Sequence, residues 1–152
     1  MPLTEVEKAY LAGIIDGEGS ISLARSHARS SAKYVYPLVR IANTDLGLID
    51  WVKSRVPEGH RGYTSRLHDR CKDVYHVAWA SNEAVTVLKE VLPYLTVKRF
   101  RAELVIRLWE DNQRARKEAG GYLGNGHPIP TWLHERRESA FAELQTLNKR
   151  GV

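Results

Sequence analysis

An isolated acidic residue, Glu18, lies between two glycines directly after a run of mainly apolar residues. The pattern predicts a helix that ends at this acid, because glycine is common just beyond a helix C-terminus. The negative end of the helix dipole disfavours a carboxylate there by about 0.3–1 kcal/mol. A divalent cation would reverse the local electrostatics, and the free backbone carbonyls at the helix end would offer it further hard oxygen ligands. Glu18 is therefore a candidate metal ligand; the alternative is that Glu18 is a solvated acid on a turn.

The helix that carries Glu18 has large residues on one side and small residues on the other. Thr4 and Glu7 fit a capping box, which predicts that the helix begins after Thr4. Because residues three and four apart share a helix face, the large apolar side consists of Tyr10, Leu11, Ile14 and Ile15. The small side consists of Ala9, Ala12, Gly13, Asp16 and Gly17. We expect the large side to face the core and the small side to admit a second backbone at close range.

Composition limits the class of protein. The 152 residues include 23 Lys and Arg against 18 Asp and Glu, a net charge of +5 that suits a polyanionic partner. A single cysteine, Cys71, excludes a disulfide framework and favours a reducing, intracellular setting. No apolar run approaches the roughly 20 residues of a membrane span, so neither a signal peptide nor a membrane partner is expected. The length predicts one domain over residues 1–152, with a core of about 4–117 and a C-terminal loop and helix over 118–149.

Hydrophobic periodicity predicts the order of the elements. Period-two alternation predicts strands over residues 20–24, 34–42, 61–68 and 74–80. Helical spacing predicts further helices over about 45–55, 82–91 and 97–117, and a last one from 131. This order favours an α+β fold in which an antiparallel sheet has helices on one face. The register of the second strand pair stays open by one residue, and such a slip would exchange its two faces.

The face of the sheet away from the helices is expected to be polar and basic, with aromatic side chains among the cations. A two-stranded ribbon fits the DNA major groove, where outward side chains meet base edges and phosphates. The alternative is an ordinary solvated sheet face. The candidate DNA-binding residues on this face and at the hairpin tips are Ser22, Ala24, Arg25, Ser26, Arg29, Lys33, Tyr34, Tyr36, Arg40, Thr64, Arg66, His68, Arg70, Lys72 and His76.

The end of the first helix also resembles a known family motif. The nine residues from Leu11 to Gly19, Leu-Ala-Gly-Ile-Ile-Asp-Gly-Glu-Gly, resemble the LAGLIDADG motif of homing endonucleases. The segment from Leu92 to Lys98, Leu-Pro-Tyr-Leu-Thr-Val-Lys, is similar to the family's Pro-(Phe/Tyr)-Leu-x-x-Lys segment. The resemblance covers most of the chain and is weakest beyond about Gly120. It implies the αββαββα fold with a saddle-shaped antiparallel sheet, here with extra C-terminal helices.

The resemblance implies roles for individual residues. Glu18 takes the place of the motif's last acid, the metal-binding carboxylate, and Gly17 would lend its carbonyl. Lys98 matches the basic residue beside the scissile phosphate, and Asn43 matches a polar position that holds active-site water. Glu18, Lys98 and Asn43 are therefore the candidate catalytic residues.

The family's active-site arginine has no direct match in this chain, and Arg40 and Arg101 are the two alternatives. One motif copy in a short chain is similar to the homodimeric members of the family. Asp16 would cap the helix of the partner subunit. The implied dimer interface consists of Ala9, Ala12, Gly13 and Asp16.

The implied activity is sequence-specific cleavage of double-stranded DNA by an intron-encoded homodimer. The break would have short 3′ overhangs, lie in a long pseudo-palindromic site, and depend on Mg²⁺, for which Ca²⁺ or Mn²⁺ could substitute in the site. Other members of the family act as maturases that assist intron RNA splicing, or as non-cleaving DNA-binding regulators. RNA is an expected partner only under the maturase alternative. The last motif acid and Lys98 are both present, which favours the nuclease.

Overall fold

The computed structural model describes residues 2–25, 35–64, 72–121, 123 and 128–149, and only the backbone of Arg61, Tyr63 and Thr64. The chain forms helix α1 (Glu5–Glu18), strands β1 (Gly19–Arg25) and β2 (Val35–Asn43), helix α2 (Leu46–Arg55), strands β3 (His60–Thr64) and β4 (Val74–Ala80), helix α3 (Ser81–Val91), a 3-10 turn (Leu92–Tyr94) and helices α4 (Arg99–Glu118) and α5 (Thr131–Leu147). This order confirms the predicted α+β arrangement. Among these residues, no helix combines the length and apolar character needed to cross a membrane.

The four strands form one antiparallel sheet in the order β1-β2-β4-β3, with β1 and β3 at its edges. Period-two alternation is confirmed in β1, β2 and β4, where the residues buried at their core-facing positions include Ile21, Val39 and Trp79. The register of the second strand pair is now defined, because Tyr63 pairs with Tyr75. The sheet therefore has one apolar face under the helices and one open face.

Helix α1 begins as the sequence predicts. The N–H of Glu7 donates to Oγ1 of Thr4 at 3.3 Å, and the N–H of Thr4 donates to Oε2 of Glu7 at 2.9 Å. This pair confirms the capping box. Helix α2 is capped by Asp45, whose Oδ1 accepts the N–H of Leu48 at 3.1 Å.

The buried face of α1 differs from the predicted one by a small rotation about the helix axis. Leu11, Ile14 and Ile15 are buried as expected, but Ala12 is buried with them at 0% exposure. Tyr10 is 52% exposed and packs edge-to-face on Trp51, with 4.7 Å between ring centroids. The prediction that Tyr10 faces the core is therefore wrong. Ala12 shares a helix face with Ile15, three residues later, and both are fully buried.

Helix α5 belongs to the helical layer. It packs on α4 and on β1, and its residues Leu133, Ala140 and Leu144 are buried. Near its start, Arg136 forms an ion pair with Asp111 of α4 at 2.8 Å. The C-terminal helix therefore covers the helix side of the edge strand β1.

The junction between α1 and β1 depends on Gly19. The N–H of Gly19 donates to the carbonyls of Ile14 and Ile15, which brings the chain back against the helix. A Cβ on Gly19 would lie 2.8 Å from both the Cα and the carbonyl oxygen of Ile15. Glycine is required here for space, since backbone lies where a side chain would stand.

We expect Gly19→Ala to lower the free energy of unfolding by about 1–3 kcal/mol, because the backbone must shift to admit the added methyl group. Urea unfolding followed by circular dichroism measures the change. Ser20→Ala is the matched control, since Ser20 is the exposed neighbour of Gly19, and its effect should stay within about 0.5 kcal/mol. Equal stability of the Gly19→Ala protein and the parent would contradict the close approach.

Candidate active site

Two side chains exchange hydrogen bonds between the end of α1 and the start of α4. The carboxylate of Asp16 accepts the backbone N–H groups of Thr96 and Lys98, each at 2.8 Å. The Nζ of Lys98 donates to the carbonyls of Ile15 at 2.8 Å, Asp16 at 2.7 Å and Gly19 at 2.7 Å. Each side chain therefore satisfies backbone groups at, or next to, the end of a helix. We call this pair the reciprocal cap.

Asp16 binds the segment of its own chain that leads into α4. The residue that precedes α4, Lys98, has no capping side-chain bond of its own, and its N–H and that of Thr96 donate to Asp16. That Asp16 also caps the helix of the partner subunit stays a prediction. Burial raises the pKa of Asp16, but the N–H groups of Thr96, Lys98 and Val97 and the Lys98 charge outweigh burial, so the pKa lies below its ordinary value.

Lys98 supplies a cation to the end of α1. The last turn of α1 contains no basic residue, and a positive charge near a helix C-terminus is stabilising. Burial lowers the pKa of Lys98, the Arg101 charge lowers it further, and the charges of Asp16 and Glu18 oppose this change. Three accepting carbonyls favour the charged form of the ammonium. The helix end therefore has a counter-charge within the protein itself.

Glu18 and Gly17 are exposed at the same helix end. Lys98 does not bind either of their carbonyls, and Glu18 makes no hydrogen bond or ion pair with the described part of the chain. No three His, Cys, Asp or Glu side chains among the described residues are grouped so that they could hold a metal ion. One chain thus offers one free carboxylate and a neighbouring carbonyl, fewer oxygen ligands than Mg²⁺ or Ca²⁺ takes.

Asn43 lies at the same end of the sheet. It follows Ile41 by two residues, and Ile41 pairs with Gly19, where β1 begins. Its Oδ1 accepts the N–H of Asp45 at 2.8 Å, which shapes the turn into α2. The side-chain oxygen therefore has a structural partner, and a contact between Asn43 and active-site water stays a prediction.

The two candidate arginines lie in different surroundings. Arg40 is exposed on the open face of the sheet, directly across from Ser20 of β1. Arg101 is half-buried and donates to the carbonyl of Leu147 at the end of α5. Arg101 therefore ties α4 to α5, while Arg40 is the arginine available on the open face near the start of β1.

Most of the predicted DNA-binding residues that the structure describes lie on the open face. Ser22, Ala24, Tyr36, Arg40 and His76 all occupy positions that alternate with buried residues of their strands, and Lys72 is exposed just before β4. The other predicted contacts lie outside the residues or side chains described: Ser26, Arg29, Lys33, Tyr34, Thr64, Arg66, His68 and Arg70.

Arg25 is the exception among the described residues. Its position has the same parity along β1 as the buried Leu23, so its side chain lies on the helix side of the sheet. The guanidinium binds Glu138 of α5 at 2.9 Å and lies 4.1 Å from the ring centroid of Phe141. The prediction of Arg25 as a DNA contact is therefore wrong.

The outer side of α1 is exposed and mostly small. Ala9, Gly13 and Gly17 are exposed, and a Cβ on either glycine would meet no atom within 4 Å. Val6, on the same side, is 79% exposed. Ala12 has no surface left to offer a partner, so its prediction as an interface residue is wrong.

Several solved structures with this fold are homing endonucleases. I-CvuI, solved in complex with its target in the presence of Ca, is 18% identical, with a TM-score of 0.60 over 92% of this chain and 95% of I-CvuI. The archaeal intron-encoded I-Vdi141I, complexed with DNA, is 15% identical, with a TM-score of 0.65 over 97% of this chain and 87% of I-Vdi141I. The LAGLIDADG homing endonuclease I-SmaMI, bound to cleaved DNA, is 17% identical, with a TM-score of 0.65 over 100% of this chain but 47% of I-SmaMI.

These likenesses establish the fold. No protein-family model matches the sequence, and no curated protein does. The chain nevertheless has the fold of the LAGLIDADG homing endonucleases, as the resemblance of its motif implied.

The reciprocal cap predicts a pH-dependent stability. We expect Asp16→Ala to lower the free energy of unfolding by about 1–2 kcal/mol at neutral pH, because the N–H groups of Thr96 and Lys98, just before α4, lose their acceptor. The folded pKa of Asp16 lies below its ordinary value of 3.8, so this contribution is complete above that value and disappears as the pH falls through the folded pKa. Urea unfolding of both proteins from neutral to acidic pH measures the difference.

Glu143→Ala is the control for this series, since Glu143 is exposed on α5. Its effect should stay within about 0.5 kcal/mol. A destabilisation by Asp16→Ala that persists unchanged below the folded pKa would mean that the carboxylate charge does not cap α4.

Proposed function

We propose that this protein is a homing endonuclease that cuts double-stranded DNA at a specific sequence, as a homodimer and with Mg²⁺ as its cofactor. One observation carries the proposal: the exposed carboxylate of Glu18, which pairs with none of the described residues, lies at a helix end fixed by Lys98 and Asp16, at the edge of an open sheet face. The shared fold supports the proposal, because I-Vdi141I and I-SmaMI are both solved bound to DNA.

Charge supports DNA as the partner. The net charge is +5, and none of the four described strands contains Asp or Glu. The sheet therefore presents Arg40 and half-buried polar and aromatic side chains without a carboxylate among them. A surface of this kind can accept phosphates and base edges without like-charge repulsion.

Two copies would complete the site that one copy leaves with too few ligands. Packing of two α1 helices along their outer sides would bring two Glu18 carboxylates and two Gly17 carbonyls to one two-fold axis. The exposed Ala9 and Gly13 leave room for this approach, and Val6 would add apolar contact. The match to less than half of I-SmaMI also fits, since that chain has room for two units of this size.

Glu18 and Gly17 would hold the Mg²⁺, or Ca²⁺ or Mn²⁺ in its place, because a carboxylate and a carbonyl are the oxygen ligands that such ions take. The bound ion would activate water and stabilise the charge on the leaving 3′ oxygen. Lys98 would act through its fixed positive charge near the phosphate, since carbonyls accept its three N–H groups. Asn43 would orient water, and Arg40 would contact the DNA beside β1.

Cleavage should depend on the Glu18 charge. A duplex that the parent protein selects from a randomised library, with Ca²⁺ present, provides the substrate. We expect the parent to cut it with Mg²⁺ and to stop with EDTA, and Glu18→Gln to cut at least about 100-fold more slowly, because a neutral amide holds the metal poorly. Glu143→Gln, the same change at an exposed site on α5, should cut like the parent.

The result also separates the alternatives. A parent that binds its selected duplex without cutting it would indicate a non-cleaving DNA-binding regulator. A parent that selects no duplex but binds structured RNA would indicate a maturase. Rapid cutting by Glu18→Gln would contradict the assignment of Glu18 as a metal ligand.

The dimer can be tested without unfolding the chain. We expect Gly13→Leu to leave the monomer as stable as the parent or up to about 1 kcal/mol more stable, because a Cβ there meets no atom within 4 Å and leucine favours helix over glycine. The same variant should lose the dimer and cleavage, since the added side chain keeps two α1 helices apart. Size-exclusion chromatography with light scattering and the cleavage assay measure both.

Ala142→Leu adds a comparable side chain at an exposed position of α5, and it should keep the dimer and the activity. A Gly13→Leu protein that dimerises and cuts like the parent would place the interface elsewhere.

A further inference from the structure

Three strands bring Arg40, His76 and Gly62 together on the open face. Gly62 of β3 pairs directly with His76 of β4. His76 pairs with Ala42 of β2, and Arg40 pairs with Ala78, so Arg40 and His76 are diagonal neighbours across β2 and β4. The three residues therefore form a row across the sheet.

Arg40 and His76 are in direct contact. Nη2 of Arg40 lies 3.2 Å from Nδ1 of His76. An arginine side chain has only donors, so Nδ1 must accept and the ring proton must be on Nε2. Burial lowers the pKa of His76, and the Arg40 charge lowers it further, which favours the neutral ring at pH 7. The contact is therefore a hydrogen bond from a fixed cation to a neutral imidazole.

Gly62 provides the space in which the imidazole lies. A Cβ on Gly62 would overlap Nε2 and Cε1 of His76, so the ring rests over the Gly62 backbone. The only glycines of the described chain with a positive φ are Gly120 and Gly121. Glycine is therefore needed at position 62 for space and not for its backbone conformation, and any side chain there must move the His76 ring.

Among the residues that the structure describes, no acid lies beside His76 to compensate a second charge. The charged or titratable residues that alternate onto the open face near His76 are Arg40 on β2 and His60 on β3, and the described strands contain no Asp or Glu. Protonation of His76 would remove the acceptor and place two cations side by side. The arrangement is therefore stable only while the ring is neutral.

We propose that His76 is a positioning residue that, seated on Gly62, holds the Arg40 guanidinium in the orientation needed to read a guanine in the major groove. The inference rests on the proposed DNA-binding function. One N–H of Arg40 is used on His76, and the remaining N–H groups suffice for the bidentate contact with O6 and N7 that arginine makes with guanine. Arg40 thus specifies a base, while His76 and Gly62 fix its direction without touching DNA.

The experiment compares base preference among variants. The parent selects a duplex from a randomised library at pH 7.5, and the affinities for that duplex and its single-base changes are then measured. At one position of each half-site, the parent should bind guanine about tenfold more tightly than any other base, and we expect Arg40→Ala to lose this preference. His76→Ala and Gly62→Ala should lose the same preference at the same position, with non-specific affinity unchanged within about twofold, since they add or remove no charge at neutral pH.

His76→Asn is the conservative variant, because its Oδ1 can accept the Arg40 hydrogen bond and does not titrate. It should keep the guanine preference at every pH, whereas the parent should lose the preference once the pH falls below the pKa of His76, which an NMR titration of the parent measures. Independently of DNA, Arg40→Ala should raise the pKa of His76 in an NMR titration.

The outcomes distinguish two failures. A parent that selects no duplex contradicts the proposed function and this inference together. A parent that selects a duplex, with the same base preference retained in His76→Ala and Gly62→Ala, contradicts only the inference. A uniform loss of affinity over all sequences in these variants would assign Arg40 to a phosphate and also overturn it.

Discussion

The hydrogen bonds exchanged by Asp16 and Lys98 hold together the point where α1, β1 and α4 meet. Helix α1 ends in an acidic residue with no basic residue in its last turn, and α4 begins without a side-chain cap of its own. Lys98 donates to carbonyls at the end of α1, and Asp16 accepts N–H groups just before α4. These hydrogen bonds form only because the end of α1 lies against the start of α4.

This arrangement also explains how Glu18 can stay free. Lys98 binds carbonyls on both sides of it and supplies the positive charge that the helix end requires. Gly19 lets the chain turn back closely against the helix, where its N–H donates to the carbonyls of Ile14 and Ile15. Glu18 is consequently exposed on a fixed support, which is the condition for binding a cation from outside the chain.

The sequence predicts the elements well because their signals are local. The capping box of Thr4 and the alternation in β1 depend on residues a few positions apart, and both are confirmed. The errors concern contacts between distant parts of the chain. Nothing local shows that Asp16 accepts the N–H groups of Thr96 and Lys98, and Arg25 could be assigned to the helix side only once α5 was placed on β1. Likewise, the contact of Arg40 with His76 depends on the register of β2 with β4.

The distribution of charge divides the described structure into two sides. In the ion pairs between described residues, each carboxylate lies on a helix, as in the contacts of Arg25 with Glu138 and Arg136 with Asp111. Acids and bases therefore neutralise each other in the helical layer, while the strands contain no acid at all. Arg40 meets a neutral imidazole where a surface cation commonly meets a carboxylate. The charge of Arg40 is therefore held in one orientation without being neutralised by an acid of the described strands, whereas the cations on the helix side are paired with carboxylates.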